Sequence, residues 1–395
     1  MRIVHVSDCF APRVGGIETQ VGDLAAHQAR AGHDVHVLTA TAASAGTPDR
    51  YREVVVTPDG VTVHRIASRY VAGLPVHPRG RTLLARVMAE LRPDVVHVQA
   101  GVVSPFAFQG ARAARAADLP LAITWHCMLD GVERPLRAGA RLLGWDGESA
   151  ALSAVSDVAA ARVGEAFPVE GRPAEVGILP NGLDLDAWAP PDGADAGGPG
   201  DEDGLPVRPL RIVATQRVAP RKRTTELVDV LAAVLAELGA GAARLTIAGD
   251  GPDLARVRRH AQSRGVAGDV DLLGRVPRGE LARLYADQDV FLSVARLEAF
   301  GIAALEARAS GLPVVALDGT GITSFVTDGV DGLIAKDDAG LARAVASLLT
   351  TPGLAARLRR NAREHRPAAG WDDVLAAAER EYSRARRLVR FRPRP

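Results

Sequence analysis

The chain has 395 residues, of which 47 % are hydrophobic, and this length predicts two domains because a single core rarely grows beyond about 300 residues. Its 48 basic and 47 acidic residues leave a formal charge of +1 and only 4 % of residues are aromatic, so nucleic acid is not an expected partner. The two cysteines, Cys9 and Cys127, favour a reducing cytoplasm over a disulfide or zinc framework, and neither an export signal nor an apolar run of about 18 residues is recognisable.

Short apolar runs alternate with helical stretches through the first half of the chain. The strand-like runs cover residues 3–6, 35–38, 61–64, 95–98, 121–124 and 152–155. This alternation predicts a parallel sheet covered by helices on both faces. The segment 190–209 is rich in Pro, Gly and Asp, which is typical of a flexible linker. The first domain is therefore expected to span residues 1–189.

The same alternation resumes after the linker. Strand-like runs cover residues 210–214, 244–248, 270–273, 290–293 and 313–316. A second domain is expected over 210–370, followed by a C-terminal helix and a basic tail over 371–395. The predicted fold is α/β, with two doubly wound Rossmann-like domains facing each other across a cleft.

Ligands of such sheets bind beyond the carboxyl ends of the strands, so the loops at these ends are the expected ligand sites. Gly15 and Gly16 follow the first strand and allow a close backbone approach to a phosphate, or else simply a tight packing turn. A basic turn follows strand 210–214, and its Arg217 and Lys222 could neutralise a diphosphate. The alternative is a solvated basic turn, which suits Arg221 and Arg223 better.

Two glutamates flank the start of a predicted helix in the second domain. Glu298 lies in the loop after strand 290–293, and Glu306 follows within an apolar helix that begins near Gly301. The free N–H groups at a helix start favour an anion, so a sugar nucleotide fits between the two carboxylates. The alternative roles are charge complementation of the helix dipole for Glu298, and a solvated helix position or a salt bridge for Glu306.

Three further patterns bear on metal binding, NAD binding and membrane contact. Acidic triplets at 184–186, 269–271 and 287–289 are attributed to capping and turns, so no metal is expected. The turn 249–251 lacks the third glycine of a dinucleotide site, so NAD is not expected. The tail arginines and a basic patch near Leu83 and Leu84 predict either a solvated surface or peripheral contact with an anionic membrane. These arginines are Arg384, Arg386, Arg387, Arg390, Arg392 and Arg394 in the tail, and Arg69, Arg79, Arg81 and Arg86 in the patch.

Residues 293–316, SVARLEAFGIAALEARASGLPVVA, resemble the Glu-x7-Glu signature of the retaining GT-B glycosyltransferases of family four. The resemblance extends over nearly the whole chain, and bacterial phosphatidylinositol mannosyltransferase-like enzymes are the nearest pattern. The other matching segments are the Gly15-Gly16 loop, 31–39, 93–97, 124–126, 154–156, 179–184, Arg217 with Lys222, 249–252 and 272–276.

The resemblance implies a role for each matching residue. Arg217, Lys222 and Gly16 would bind the donor diphosphate, and Glu298 would hold hydroxyls of the transferred sugar. Glu306 would bind the ribose. The backbone of Gly274, Arg275 and Val276 would contact the nucleobase. The N–H groups of Phe300, Gly301 and Ile302 would lie near the sugar and the phosphate. His126 would lie near the transferred sugar. A histidine at position 126 could equally be a satisfied core residue.

The implied reaction moves a hexose from a UDP- or GDP-linked donor to a hydroxyl of a lipid, glycan or small natural product, with retention and without a metal. In this chemistry the departing diphosphate takes the acceptor proton, so catalysis depends on positioning and charge stabilisation. Many relatives carry a glutamate where this chain has Ser324. A nucleotide-sugar epimerase of the same fold and a donor-binding protein without turnover are therefore kept as alternatives.

Overall fold

The protein is described here from a computed structural model. The structure describes residues 1–13, 15–42, 53–66, 69–71, 74–76, 79–143, 149–190 and 208–390. The chain divides into two compact units, one formed by Met1–Gly182 with Ala369–Pro395 and the other by Leu183–Ala368.

The first unit is a Rossmann-like α/β unit. Its strands are β1 (Arg2–Ser7), β2 (Asp34–Thr39), β3 (Glu53–Val56), β4 (Thr62–Arg65), β5 (Arg69–Val71), β6 (Leu74–Val76), β7 (Val95–Ala100), β8 (Leu121–Trp125), β9 (Ala151–Ala154) and β10 (Val176–Ile178). Its helices up to residue 182 are α1 (Gly16–Arg30), α2 (Gly80–Leu91), α3 (Pro105–Ala116), α4 (Glu133–Leu143) and α5 (Asp157–Ala166). The main sheet has the order β10-β9-β8-β7-β1-β2-β4-β3, and every pairing is parallel except that of β3 with β4.

The second unit repeats this architecture. Its strands are β11 (Leu210–Thr215), β12 (Ala243–Ala248), β13 (Val270–Gly274), β14 (Val290–Leu292), β15 (Val314–Leu317) and β16 (Gly332–Ala335), in the order β13-β12-β11-β14-β15-β16, all parallel. Its helices are α6 (Leu185–Trp188), α7 (Thr224–Leu238), α8 (Leu254–Ser263), α9 (Arg278–Ala286), α10 (Ile302–Ala309), α11 (Asp338–Thr350) and α12 (Leu354–Glu364). The predicted α/β class with two Rossmann-like domains is confirmed.

The last helix, α13 (Trp371–Arg390), packs on the first unit. It buries Val374, Ala377, Ala378 and Tyr382 in a core cluster that also contains residues of β1, β7, β8 and β9. Small side chains on this helix face allow it to lie close to the sheet. The C-terminal helix, expected as a separate element, is thus part of the first unit.

The observed units differ from the expected domain limits at two points. Residues 183–189 belong to the second unit, because the helix α6 packs against α10. Ala369 and Gly370 belong with the first unit rather than the second. Of the expected linker 190–209, residues 191–207 lie outside the described residues.

Candidate functional site

Lys222 and Glu298 form an ion pair in the second unit, with 2.6 Å between Nζ and Oε2. Lys222 ends a short 3-10 turn after β11, and Glu298 lies in the loop after β14. Strands β11 and β14 are parallel neighbours, so their carboxyl ends meet at one edge of the sheet. The two side chains are 26 % and 20 % exposed, which keeps the pair within reach of a ligand. The structure therefore brings together a cation and a carboxylate that the sequence assigned separately.

The loop after Glu298 leads into the N-terminus of α10. Gly301 precedes the helix with φ 93°, and a Cβ at that position would lie 2.7 Å from Cγ1 of Ile322. Only glycine adopts this conformation readily. Within the described part of the chain, the N–H groups of Phe300, Gly301 and Ile302 have no hydrogen-bond acceptor. These N–H groups can bind an anion, whereas the Phe300 side chain is buried against Phe325.

Glu306 lies one turn into α10 and is 5 % exposed. Its Oε1 accepts a hydrogen bond from Nε of Arg278 at 3.0 Å, and the Arg278 guanidinium lies 5.8 Å from the ring centroid of Trp188. Below them, burial, together with the nearby negative charge of Glu306, raises the pKa of Tyr285. Glu306 thus forms the salt bridge that was one of its alternative roles and is not a solvated helix position, and it lies at the same sheet edge as the loop after β13.

Sequence reasoning missed both Arg278 and Trp188. Arg278 is the first residue of α9, where the helix dipole disfavours a cation. An arginine at the start of a helix therefore indicates that a nearby carboxylate compensates for its unfavourable charge. Trp188 was assigned to the first domain, and its ring packs 5.9 Å from that of Tyr285 in the second unit.

His126 follows β8 in the first unit and is half-buried. Its Nε2 lies 2.7 Å from Oε1 of Gln99, and burial lowers the pKa of its imidazole to about 4. The ring lines a small cavity together with Gln20, Asn181 and Trp371. His126 is therefore a neutral imidazole with one nitrogen bound to the protein, and it faces a cavity rather than a closed core.

Gly16 begins α1 in the same unit, and a side chain on the preceding Gly15 would collide with the carboxylate of Glu18. Close by in sequence, Asp8 accepts hydrogen bonds from the N–H groups of Phe106 and Ala107 at 3.0 and 3.2 Å, which caps α3. Burial raises the pKa of Asp8 to about 6. The loop after β1 is thus anchored to the N-terminus of α3.

Two family descriptions match the chain. Residues 14–187 match "Glycosyltransferase Family 4" and residues 201–365 match "Glycosyl transferases group 1". A GDP-mannose-dependent alpha-(1-6)-phosphatidylinositol monomannoside mannosyltransferase of Mycobacterium tuberculosis is 30 % identical over 394 residues, which cover 97 % of this chain and 98 % of the relative. The chain belongs to glycosyltransferase family 4. It is a glycosyltransferase, and the resemblance that the sequence motifs indicated is confirmed.

Other similar proteins agree with this assignment. A D-inositol 3-phosphate glycosyltransferase of Xylanimonas cellulosilytica is 29 % identical over 413 residues, covering 98 % of this chain and 96 % of the relative. The crystal structure of Anabaena HepE in complex with UDP-glucose has a TM-score of 0.70 at 20 % identity and covers 97 % of this chain and all of that one. The glycosyltransferase therefore has the GT-B fold, and it transfers a sugar from a nucleotide sugar.

The remaining cations of the glycosyltransferase's basic turn have different environments. Arg217 and Arg221 are exposed, and neither forms an ion pair with any described residue. Arg223 was expected to be solvated, but it binds the Val294 carbonyl at 2.8 Å and the Asp338 carboxylate at 2.6 and 3.1 Å. Arg223 thus ties the turn to the end of β14, whereas Arg217 and Arg221 have no such anchor among the described residues.

The other predicted positions of the glycosyltransferase lie at the same sheet edge. Gly274 ends β13, Arg275 is exposed and Val276 is half-buried. The Gly274 carbonyl accepts a hydrogen bond from Gly249 N–H at 2.7 Å, and a Cβ on Gly249 would lie 1.8 Å from the Gln216 carbonyl oxygen. The 249–251 glycines therefore serve close packing of three loops. Ser324, the position at which the family pattern led us to expect a glutamate, is exposed at the end of a short 3-10 turn.

The acidic triplets of the glycosyltransferase have structural partners. Asp184 caps α6, Asp271 pairs with Arg244 at 3.2 Å, and the buried Asp289 binds Arg208 at 2.5 and 2.7 Å. No group of three or more metal-ligating side chains is found within the described residues.

The basic surfaces of the glycosyltransferase are less exposed than the sequence suggested. Arg384 is 13 % exposed and pairs with Glu381 at 2.8 Å and Glu175 at 3.4 Å, so it does not belong to a solvated tail. Leu84 of α2 is fully buried, whereas Arg81 and Arg86 are exposed. Arg392 and Arg394 lie outside the described residues. None of the helices in the described part of the chain is long and apolar enough to cross a membrane.

Proposed function

We propose that this glycosyltransferase binds a GDP- or UDP-linked hexose in its second unit and transfers the hexose to a hydroxyl acceptor with retention of configuration and without a metal. The observation that carries the proposal is the Lys222–Glu298 pair beside the free N–H groups at the start of α10. Cation and N–H donors suit the diphosphate, while the carboxylate suits sugar hydroxyls.

Arg217 and Lys222 would stabilise the charge that develops on the leaving diphosphate, and Glu306, oriented by Arg278, would accept hydrogen bonds from ribose hydroxyls. The backbone at Gly274, Arg275 and Val276 would contact the nucleobase. Gly16 would approach the diphosphate. These roles rest on the match of each residue to the family pattern and on its place at a sheet edge.

GDP-mannose is the first donor to test, since a similar mannosyltransferase is named for it, and UDP-glucose is the second, since HepE was crystallised with it. The same reasoning suggests inositol phosphates and phosphatidylinositol as first acceptors, because both curated relatives act on inositol-containing molecules by name. Two free thiols suit a cytoplasmic enzyme.

Acceptor-dependent release of nucleotide tests the proposal, with product configuration read from the anomeric proton by NMR. Lys222→Ala should lower kcat/KM by about 100-fold, and Arg221→Ala on the same turn should leave it within about twofold. Release without dependence on acceptor, or equal effects of the two variants, would contradict the proposal. Interconversion of the donor sugar would indicate an epimerase instead.

Peripheral contact with an anionic membrane would be purely electrostatic, because Leu84 is buried while Arg79, Arg81 and Arg86 are exposed. Sedimentation with phosphatidylglycerol vesicles at low salt should retain the enzyme, and replacing the three arginines with alanine should release it. No sedimentation of the native enzyme would end the idea.

A further inference from the structure

A continuous chain of side-chain hydrogen bonds crosses the sheet of the first unit behind His126. It connects four neighbouring strands, helix α1 and helix α13. In order from His126, its members are Gln99, His5, Gln28, Tyr382, His97, Thr124 and Ser153. Seven of these eight side chains are buried, and every contact in the series of hydrogen bonds is direct, without a bridging water.

The first half of the chain runs from His126 to α1. His126 Nε2 lies 2.7 Å from Gln99 Oε1, and Gln99 Nε2 lies 3.1 Å from Nδ1 of His5. The other nitrogen of His5, Nε2, lies 2.7 Å from Oε1 of Gln28. An amide oxygen accepts only and an amide nitrogen donates only, so His126 and His5 must both donate from Nε2.

The second half passes through α13 and returns to the sheet. Gln28 donates to the Tyr382 hydroxyl at 2.8 Å, and that hydroxyl lies 2.9 Å from Nδ1 of His97. Nε2 of His97 lies 2.7 Å from Oγ1 of Thr124, which lies 2.8 Å from Oγ of Ser153. The amide groups of Gln99 and Gln28 thus fix the protons of His126 and His5 on Nε2, and the bonds of His97 continue the hydrogen-bond chain to β9.

The three imidazoles can hold this order because they are neutral. Burial lowers the pKa of His5 and of His126 to about 4, and it lowers the pKa of His97 well below the ordinary value. At neutral pH each ring therefore carries a single proton, and its position is decided by the hydrogen-bond partners.

We propose that Gln99 is a positioning residue that holds His126 as the Nε2–H tautomer, so that His126 presents Nδ1 to the substrate solely as a hydrogen-bond acceptor. Within the described residues, Nδ1 of His126 has no protein partner. The group it accepts from is a hydroxyl of the sugar or of the acceptor, because a phosphate oxygen has no proton to donate at neutral pH. This inference rests on the proposed function.

The surroundings of His126 contain little that could change its charge. Gln20 of α1, Asn181 of the loop after β10 and Trp371 of α13 share its cavity, and none of the described side chains lining that cavity besides His126 is charged or titratable. The nearby imidazole of His97 is neutral as well, because burial and the adjacent His5 and His126 lower its pKa. A carboxylate at position 99 would therefore be the first charge beside the ring.

Nitrogen-15 NMR of the native enzyme labelled at histidine tests the tautomer directly. The His126 signals are identified by their absence from a His126→Asn variant. We expect a protonated Nε2 and a bare Nδ1, unchanged between pH 6 and 8. A proton on Nδ1, or an imidazolium in that range, would overturn the proposal. This readout needs no activity, so it stands apart from any failure of the proposed function.

A matched pair of variants tests the positioning role. Gln99→Glu and Gln99→Met both remove the N–H donor to His5, but only glutamate keeps an acceptor for His126. Gln99→Met should lower kcat about tenfold at pH 7.5 with donor KM unchanged.

Gln99→Glu should stay within about threefold of native kcat at pH 8.5 and lose about tenfold per pH unit below about pH 7. The new carboxylate raises the pKa of His126, so protonation there removes the acceptor. Equal losses in both variants with no new acidic limb would show that Gln99 serves packing alone and would overturn the proposal.

Discussion

The Lys222–Glu298 pair is held weakly enough to be opened by a ligand. Partly exposed ion pairs contribute about 0.2–1 kcal/mol to stability, since water screens both charges. A diphosphate offers Lys222 a larger negative charge than one carboxylate does. The proposed donor would therefore bind Lys222, and Glu298 would be released to bind sugar hydroxyls. Until the donor binds, the ion pair keeps both groups together.

Glu298→Gln keeps the size of the side chain and removes its charge. We expect kcat to fall by about 100-fold while donor KM stays within about threefold, because the lost interaction belongs to the sugar in the transition state. Acceptor-dependent nucleotide release measures both constants. An unchanged kcat would place Glu298 outside the reaction and leave it as a partner of Lys222 only.

Arg278 gives Glu306 a fixed orientation. The carboxylate is 5 % exposed, and a buried carboxylate without a partner is costly. Because Oε1 is held by Arg278, the side chain keeps one direction before a nucleotide binds. The Arg278 guanidinium also lies over the Trp188 ring, 5.8 Å from its centroid, so the proposed ribose site depends on the short helix α6 as well as on α9 and α10.

Arg278→Ala should weaken binding of the preferred nucleoside diphosphate by about tenfold, and Glu306→Ala by about 30-fold, as expected for hydrogen bonds that involve a charged group. The double variant should bind no more weakly than Glu306→Ala, because Arg278 acts through Glu306. Calorimetric titration measures all three affinities. Arg283→Ala is the matched control, since this exposed arginine of the same helix forms no ion pair with a described residue; a comparable loss there would mean that the effect is one of general charge.

At the scale of elements, helix α13 is joined to the sheet by polar as well as apolar contacts. The Tyr382 hydroxyl accepts a hydrogen bond from Gln28 and forms another with His97, and both partners are buried. A buried polar group that loses its partner costs about 1–3 kcal/mol. Tyr382 therefore anchors the C-terminal helix to the middle of the first unit.

Tyr382→Phe should lower the free energy of unfolding by about 2 kcal/mol, because it leaves Nε2 of Gln28 and Nδ1 of His97 each without its partner. Urea denaturation followed by circular dichroism measures this change. Ser383→Ala, at an exposed position of the same helix, should be neutral within about 0.5 kcal/mol. If the two variants were equally stable, the hydroxyl would be dispensable for docking.

For the whole molecule, strands were predictable wherever both faces of the sheet are covered. Residues 95–98 are continuously apolar apart from His97, and they lie within the fully buried β7. The edge strand β3 was not predicted, although Val54–Val56 form an apolar run; the side chains of this run are exposed, so it does not belong to a covered strand. The contact between Arg278 and Glu306, and the return of α13 to the first unit, join residues far apart in sequence, and no local periodicity encodes such contacts.

The buried titratable groups of the first unit act in opposite directions on stability. A histidine whose folded pKa is below its unfolded value of 6.5 binds a proton only on unfolding between these two pH values, so acid favours the unfolded chain. The raised pKa of Asp8, about 6, has the opposite effect, because the folded chain takes up the proton first. Burial also raises the pKa of Glu381, which acts in the same direction as Asp8, and His5, His97 and His126 together outweigh these two carboxyls.

Acidification should therefore destabilise the enzyme, beginning as the pH falls below about 6.5. With a folded pKa of about 4, His5 alone removes about 2 kcal/mol by pH 5, and Asp8 returns about 1 kcal/mol over the same interval. His97 and His126 add losses of the same sign.

The midpoint of urea unfolding, measured from pH 7.5 to 5, should therefore fall steadily. In the Asp8→Asn variant it should fall more steeply, because the Asp8 carboxyl no longer opposes the histidines. A midpoint that stays level or rises toward pH 5 would mean that the histidines of the hydrogen-bond chain are already protonated in the folded enzyme.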